Sequence, residues 1–327
     1  MNPLVSINCA TYNHENFIRD AIEGFLMQKT NFDFEILIGE DCSTDNTRTI
    51  VEKYANQYPG KIRVITSEHN VGAIENFLRL HQNSRGKYIA ICEGDDYWID
   101  QFKLQKQVDY MESHPECTFC FHNGKVVDAN KNQTRSSVIP WMKNNEEFYY
   151  KMDIKYSAGE LALLGYIPTA SYLYPKRILE NPPNWSFKSV VGDNVIKLIA
   201  SSHGYAYYID EKMCAYRFGV EGSATTNWEK ENNTIEKKIE HYNGFINLYN
   251  NFNDYSENKY KDEIDRVKMI FEFQIFLVRG DWKIIREKKY SEIFYEMSIE
   301  GKIKTFMRCF FPNVYSKMSY LKSKLIL

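Results

Sequence analysis

Strand-length and helix-length hydrophobic patterns take turns from Leu4 to Phe121, and this alternation limits the fold more than any other feature of the chain. Leu4–Ala10, Phe34–Gly39, Ile62–Thr66, Tyr88–Cys92 and Cys117–Phe121 are short apolar runs of strand length. Helical patterns fill the gaps: Glu15–Gln28, Asp45–Gln57, Ala73–His81 and Lys103–Ser113, the last with Leu104, Val108 and Met111 on one face. Such a succession predicts an α/β domain whose sheet is largely parallel. In such sheets ligands bind beyond the carboxyl ends of the strands, where loops and helix starts converge.

The later sequence is less regular. Pro140, Pro168, Pro175, Pro182 and Pro183 interrupt the stretch from Asn123 to about Trp185. A helical pattern resumes after Gly192, and two strand-like stretches follow, Tyr205–Ile209 and Met213–Phe218. From Asn227 to Leu327 the pattern is polar and helical. The division read from this is one α/β domain over 1–226, split near 122/123, and a helical region over 227–327.

A formal net charge of −2 gives no global basic field, so nucleic acid is not an expected partner. No apolar run reaches the length of a membrane-crossing helix, and the first residues lack the pattern of a leader. The seven cysteines are scattered. Cys117 and Cys120 have no second pair at zinc spacing, and their apolar strand context reads as buried thiols. A reducing cytoplasm is the expected compartment.

Acidic side chains gather where two of the strands end. Glu40-Asp41-Cys42-Ser43-Thr44-Asp45 follows the second strand, and Ser43 or Asp45 suits a helix cap. Capping does not account for Glu40 and Asp41, which repel one another unless a hydrogen-bond donor or a cation meets them. Glu93-Gly94-Asp95-Asp96 puts three carboxylates beyond the fourth strand, a charge density that a divalent cation relieves. Oxygen ligands of this kind select Mg²⁺ or Mn²⁺. Gly192-Asp193 opens a helix, where an Asp ordinarily caps.

Taken in order, Thr11-Tyr12-Asn13-His14, Gln28, Phe34-Glu35-Ile36, the Glu40–Asp45 block, Asn70-Val71-Gly72, Gly86-Lys87-Tyr88 and Gly94-Asp95-Asp96 resemble the family 2 glycosyltransferases. The likeness covers about Pro3–Glu116 and continues weakly through Gly192-Asp193 to Tyr216-Arg217. It implies the GT-A fold, a Rossmann-like mostly parallel sheet flanked by helices, here with a C-terminal helical extension. Residues 1–122 become the nucleotide-binding half and 123–226 the acceptor-binding half.

The implied reaction moves a sugar from a nucleoside-diphosphate donor, UDP by preference, to an acceptor hydroxyl with inversion. Thr11, Tyr12, Asn13, Asp41 and Asp95 are then the nucleotide contacts, and Asp95 and Asp96 hold Mn²⁺ or Mg²⁺. Asp193 is the general base. Glu93, Trp98, His122 and Arg217 are candidate diphosphate or acceptor contacts. Glu93 stands for the first Asp of the family's D-x-D, and no Q-x-x-R-W block follows Asp193, which argues against a processive synthase.

Bacterial surface glycan synthesis, with a glycan or lipid-linked glycan acceptor, is the expected setting. A nucleotide-sugar-binding pseudoenzyme or a scaffold in glycan assembly is the competing reading. A nucleotidyltransferase is disfavoured, because the loop Ala10–His14 has no glycine to cradle a triphosphate. Residues 301–327 carry Lys/Arg at 302, 304, 308, 317, 322 and 324 and no acid. With interleaved aromatic residues, this tail suits either an anionic membrane surface on the inner face of the cell membrane or a helix that packs its apolar side on the body.

Overall fold

The computed structural model describes residues 2–135, 137–139, 154–188, 192–220, 223, 226, 234–297 and 299–311. Strands β1 (Val5–Thr11), β2 (Phe34–Glu40), β3 (Ile62–Thr66) and β4 (Tyr88–Ile91) alternate with helices α1 (Ile18–Leu26), α2 (Thr47–Gln57) and α3 (Ala73–Asn83). Then come β5 (Tyr97–Trp98), α4 (Lys103–Ser113), β6 (Cys117–Val127), β7 (Gln133–Arg135), β8 (Ile154–Tyr156), α5 (Ala158–Leu164), β9 (Leu173–Pro175), α6 (Gly192–Ser202) and β10 (Tyr205–Arg217).

The strands form one sheet in the order β3-β2-β1-β4-β9-β6-β10-β5, with β7 on β6 and β8 on β10. β3, β2, β1 and β4 run parallel, and β10 is parallel to β6. β9 is wedged antiparallel between β4 and β6. The chain leaves β1 for β2 on one side and returns to β4 on the other. Such a reversal opens a crevice at the carboxyl ends of β1 and β4.

Side-chain alternation explains the layers. Val5, Ile7 and Cys9 of β1 point into a core with Ile18 and Ile22 of α1, Ile50 and Val51 of α2, and Leu104, Val108 and Met111 of α4. On the opposite face Ile89 and Ile91 of β4 and Phe119 and Phe121 of β6 meet Leu161 of α5 and Val195, Ile196 and Ile199 of α6. Among polar β1 residues on that face, Ser6 Oγ donates to Glu35 Oε1 at 2.7 Å and Asn8 Oδ1 accepts from Ser84 Oγ at 2.9 Å.

The helical region is α7 (Ile235–Tyr255), α8 (Lys261–Val278), α9 (Lys288–Glu296) and α10 (Ile299–Phe310). Tyr249 and Phe252 of α7 and Ile264 and Val267 of α8 share a buried cluster with Ala158 and Ala162 of α5 and Leu198 of α6. Phe245 and Phe271 stack at 4.5 Å between α7 and α8.

Two expectations are corrected. Tyr205–Ile209 and Met213–Phe218 are one strand, with a register irregularity between Ile209 and Lys212. β6 runs on to Val127, past the predicted end at Phe121.

Candidate active site

The crevice is built first by two loops that lock each other. The loop after β1 offers backbone N–H groups: Asn13 N donates to Ser43 Oγ at 3.0 Å, His14 N to Thr47 Oγ1 at 2.8 Å, and Glu15 N to Asp45 Oδ2 at 3.0 Å. The loop after β2 answers, with Thr44 N donating to Asn13 Oδ1 at 2.8 Å and Asn46 N to Glu15 Oε2 at 3.0 Å. Asn13 and Cys42 both adopt left-handed backbone, φ 56° and 59°. Asn tolerates that region, whereas Cys is held there by its surroundings. Asp45 also accepts from Thr47 N at 2.9 Å, the predicted role at a helix start.

Glu40 and Asp41 meet the hydrogen-bond donors that their adjacency calls for, while Glu40 Oε2 is buried without a hydrogen bond among the described residues and has Arg48 at 3.9 Å. Glu40 is fully buried and accepts from Ser43 N at 2.7 Å. Asp41 Oδ1 accepts from Val71 N at 2.9 Å and Ser67 Oγ at 3.2 Å, and Oδ2 from Gly72 N at 2.9 Å. Asp41 therefore fixes the 67–72 loop as one wall of the crevice, with acceptor capacity left on Oδ2. Thr11 is buried, while the Tyr12 ring is 39% exposed at the mouth.

Gly94 brings the acids of β4 against β1. A Cβ there would sit 2.5 Å from Thr11 Oγ1 and 2.9 Å from His14 Nδ1, so only glycine fits. Just beyond, Glu93 lies with its Oε2 buried and without a hydrogen-bond partner among the described residues. Burial, then the charges of Asp95 and Asp193, push its carboxyl up to about 7. Glu93, Asp95 and Asp193 thus share one electrostatic environment. Asp193 arrives from the first turn of α6, across the crevice from β4.

Asp193 accepts from Asn194 N at 2.8 Å, and burial raises its carboxyl above the ordinary value while Lys197 opposes the rise. Lys197, one turn further along α6, is buried and donates to the Gly165 carbonyl. Desolvation pulls its ammonium down to about 8. Tyr166 and Tyr172 line the same space, their hydroxyls raised by burial and by the charge of Asp193.

Four predicted contacts are engaged with other parts of the fold. Asp96 is 3% exposed, and its Oδ1 accepts from Arg217 N at 2.8 Å, so it pins the end of β10. The Arg217 guanidinium is buried over the rings of Phe17 and Tyr97, donates to the Asp95 carbonyl at 2.5 Å and pairs with Asp20. Arg217 braces the acidic turn through the Asp95 carbonyl. Trp98 is core: its Nε1 donates to the Ala170 carbonyl at 2.8 Å and its ring meets Phe25 edge-on. His122, in mid-strand, is fully buried, its Nδ1 donates to the Asn123 carbonyl 2.7 Å away, and burial drives its basicity down.

Residues absent from the sequence expectations also matter here: Asp20, Tyr166, Tyr172, Lys197 and Thr169, whose side chain hydrogen-bonds the Glu93 carboxyl. Only Lys197 carried a signal, the i,i+4 spacing from Asp193 that places both on one helix face. The others reach the site through tertiary contacts.

Among the described residues no group of three His, Cys, Asp or Glu side chains forms a metal cage. The donor set nevertheless fits a hard cation. Glu93 Oε2 is an orphaned buried oxygen, and Asp95 stands beside it. Mg²⁺ and Mn²⁺ are typically held by one or two carboxylates plus substrate phosphates.

Comparison with known proteins agrees with this geometry. In Bacillus subtilis the putative teichuronic acid biosynthesis glycosyltransferase TuaG is 34% identical over 119 residues, 36% of this chain and 46% of TuaG. The chain spans 36–46% of the length of four curated relatives, TuaG among them. S. aureus TarS 1–349 in complex with UDP-GlcNAc superposes with a TM-score of 0.59 at 16% identity, over 98% of this chain and 88% of that one. The mannosyltransferase PcManGT from Pyrobaculum calidifontis, in complex with GDP-Man and Mn²⁺, gives 0.56 at 12% identity, over 99% and 87%. The sheet and its flanking helices are the GT-A fold. Residues 6–168 match the family model described as Glycosyl transferase family 2, and with that domain the chain belongs to this family.

Proposed function

We propose that the protein transfers a sugar from a nucleoside-diphosphate donor to an acceptor hydroxyl, by one displacement with inversion, in bacterial surface glycan synthesis. The observation that carries this reading is the meeting of Asp193 with Glu93 and Asp95 across the mouth of the sheet. The base of the nucleotide lies against Tyr12, between Thr11, Asn13 and the wall that Asp41 shapes, with Asp41 Oδ2 as its acceptor. UDP is the preferred nucleotide, as in the complex of TarS. Glu93 and Asp95 would hold Mn²⁺ or Mg²⁺ with the diphosphate; PcManGT binds Mn²⁺ with its donor. When bound, the cation supplies charge neutralisation for the leaving group.

Asp193 accepts the proton of the acceptor hydroxyl as its oxygen attacks the anomeric carbon. Lys197 favours the carboxylate form that this role requires. The acceptor is a glycan or a lipid-linked glycan. No helix among the described residues is long and apolar enough to cross a membrane. Contact with the inner face of the cell membrane would come through α10, whose exposed Ile303 and Phe306 lie beside Lys302 and Lys304, and through exposed Phe311. The remainder of the 301–327 tail lies outside the described residues.

The test is a panel of UDP-, GDP- and dTDP-sugars in thermal melts with and without Mn²⁺, followed by donor turnover with the stabilising sugar. A donor that raises the melting temperature only with Mn²⁺, and is then turned over, is the expected result. Stabilisation without turnover on any acceptor would favour the pseudoenzyme or scaffold reading, and no stabilisation would overturn both.

A further inference from the structure

A second concave surface lies beside the helix that carries Asp193. It is a cavity of about 710 Å³ between the Trp185–Lys188 segment and the outer face of α7. Asn243, Asn247 and Asn251 recur along that face every four residues, so their amides stand roughly 6 Å apart in a row. All three asparagines are exposed, and Trp185 lines the same wall. Glu236 and Glu240 share the wall, and Lys188 is the ammonium opposite. Ile239 and Leu248 give it apolar patches, and Leu248 shares its buried cluster with Val195 and Ile199 of α6.

The chemistry of this lining selects its ligand. Side-chain amides each present donors and an acceptor, which matches hydroxyl groups that do both. An aromatic ring and aliphatic carbons suit the C–H faces of a pyranose. Two carboxylates against one ammonium disfavour phosphate or nucleotide, so the groove is unlike the donor crevice. We propose that this groove binds the acceptor glycan as a chain of neutral or amino sugars, several units from the hydroxyl that reacts at Asp193. The assignment of the chain as acceptor rests on the transferase reading above; the groove's affinity for a glycan does not.

The experiment is retention of the fluorescently labelled full chain on an array of neutral, amino-sugar and acidic oligosaccharides from bacterial surface polysaccharides. Native protein and Asp193→Asn are expected to retain the same neutral or amino-sugar chains. The double variant Asn243→Ala/Asn247→Ala, altered only at exposed positions, should bind about tenfold more weakly with an unchanged melting temperature. Trp185→Leu should weaken the same chains. Retention unaffected by the double variant, retention of acidic chains alone, or no retention would each overturn the proposal. Groove-dependent retention combined with no turnover of any donor would leave the groove standing and sink the transferase reading; turnover with groove-independent retention would do the reverse.

Discussion

Two acid-rich turns follow two strands of the same sheet, and they are built in opposite ways. After β2, Glu40, Asp41 and Asp45 are answered by backbone N–H groups of Ser43, Val71, Gly72, Glu15 and Thr47. After β4, Glu93 has an orphaned oxygen, and its nearest charged neighbours are other acids. Arg217 reaches that turn through the carbonyl of Asp95 and the carboxylate of Asp96. The first turn is closed mostly by protein donors, with Glu40 Oε2 left to Arg48 at 3.9 Å; the second has other acids about its orphaned oxygen. A count of acids in the sequence does not distinguish them, because the difference lies in where N–H donors point.

The contrast is open to attack from several sides. The largest effect belongs to Asp193→Asn, which keeps the shape and removes the base. Turnover should drop by roughly 10²–10⁴-fold with donor affinity retained. Single-turnover transfer close to the native rate would remove Asp193 from the catalytic arrangement.

Arg217→Met tests the brace. Removing the buried guanidinium leaves Asp20 with Lys131 alone and takes the donor from the Asp95 carbonyl, and should cost roughly 3–5 kcal/mol in urea unfolding, as breaking a buried pair does. An unchanged midpoint would show that the second turn stands without it. A smaller loss, about 1–3 kcal/mol, is expected for Asp41→Asn, which turns an amide donor toward the N–H groups of Val71 and Gly72. If the variant were as stable as the native protein, the wall of the crevice would not depend on that carboxylate.

The finest probe is the pH dependence of the metal-free protein. Glu93 titrates near 7 in the fold against an ordinary 4.5, so the folded chain binds its proton more tightly than the unfolded one. Its contribution to stability is complete below the ordinary value and is lost as pH rises through about 7. Melting temperature in EDTA should therefore decline across that window, and Glu93→Gln should remove this part of the slope. Parallel profiles for the two proteins would mean that the second turn is as well satisfied as the first.

Most of the Rossmann-like half was legible because its signals are local. β3 and α4 have the predicted bounds, and β1, β2, β4 and α1–α3 differ by a few residues at their ends. β9 and α5 were not legible, being short and set among prolines that mask any period. Asp210-Glu211-Lys212 reads as a turn, yet it is a polar irregularity within β10. Cys117 and Cys120 are buried thiols, as their strand context implied. At the site, the positions of the acids were visible and their partners were not. Asp41 takes its donors from residues 26 to 31 positions away, and Asp96 from one 121 away. Arg217 looked like a free cation because nothing near it in sequence announces Asp20.

That last pairing bears on how the molecule is made. Asp20 leaves the ribosome 197 positions before Arg217, and closing so long a loop is slow relative to pairing β1 with β2. Everything from β1 to α4 has emerged before the residue that ties the acidic turn to α1 exists. The mouth of the sheet is therefore the last piece to acquire its shape, and a nascent chain arrested upstream of Arg217 would carry a nearly complete sheet with an unformed rim.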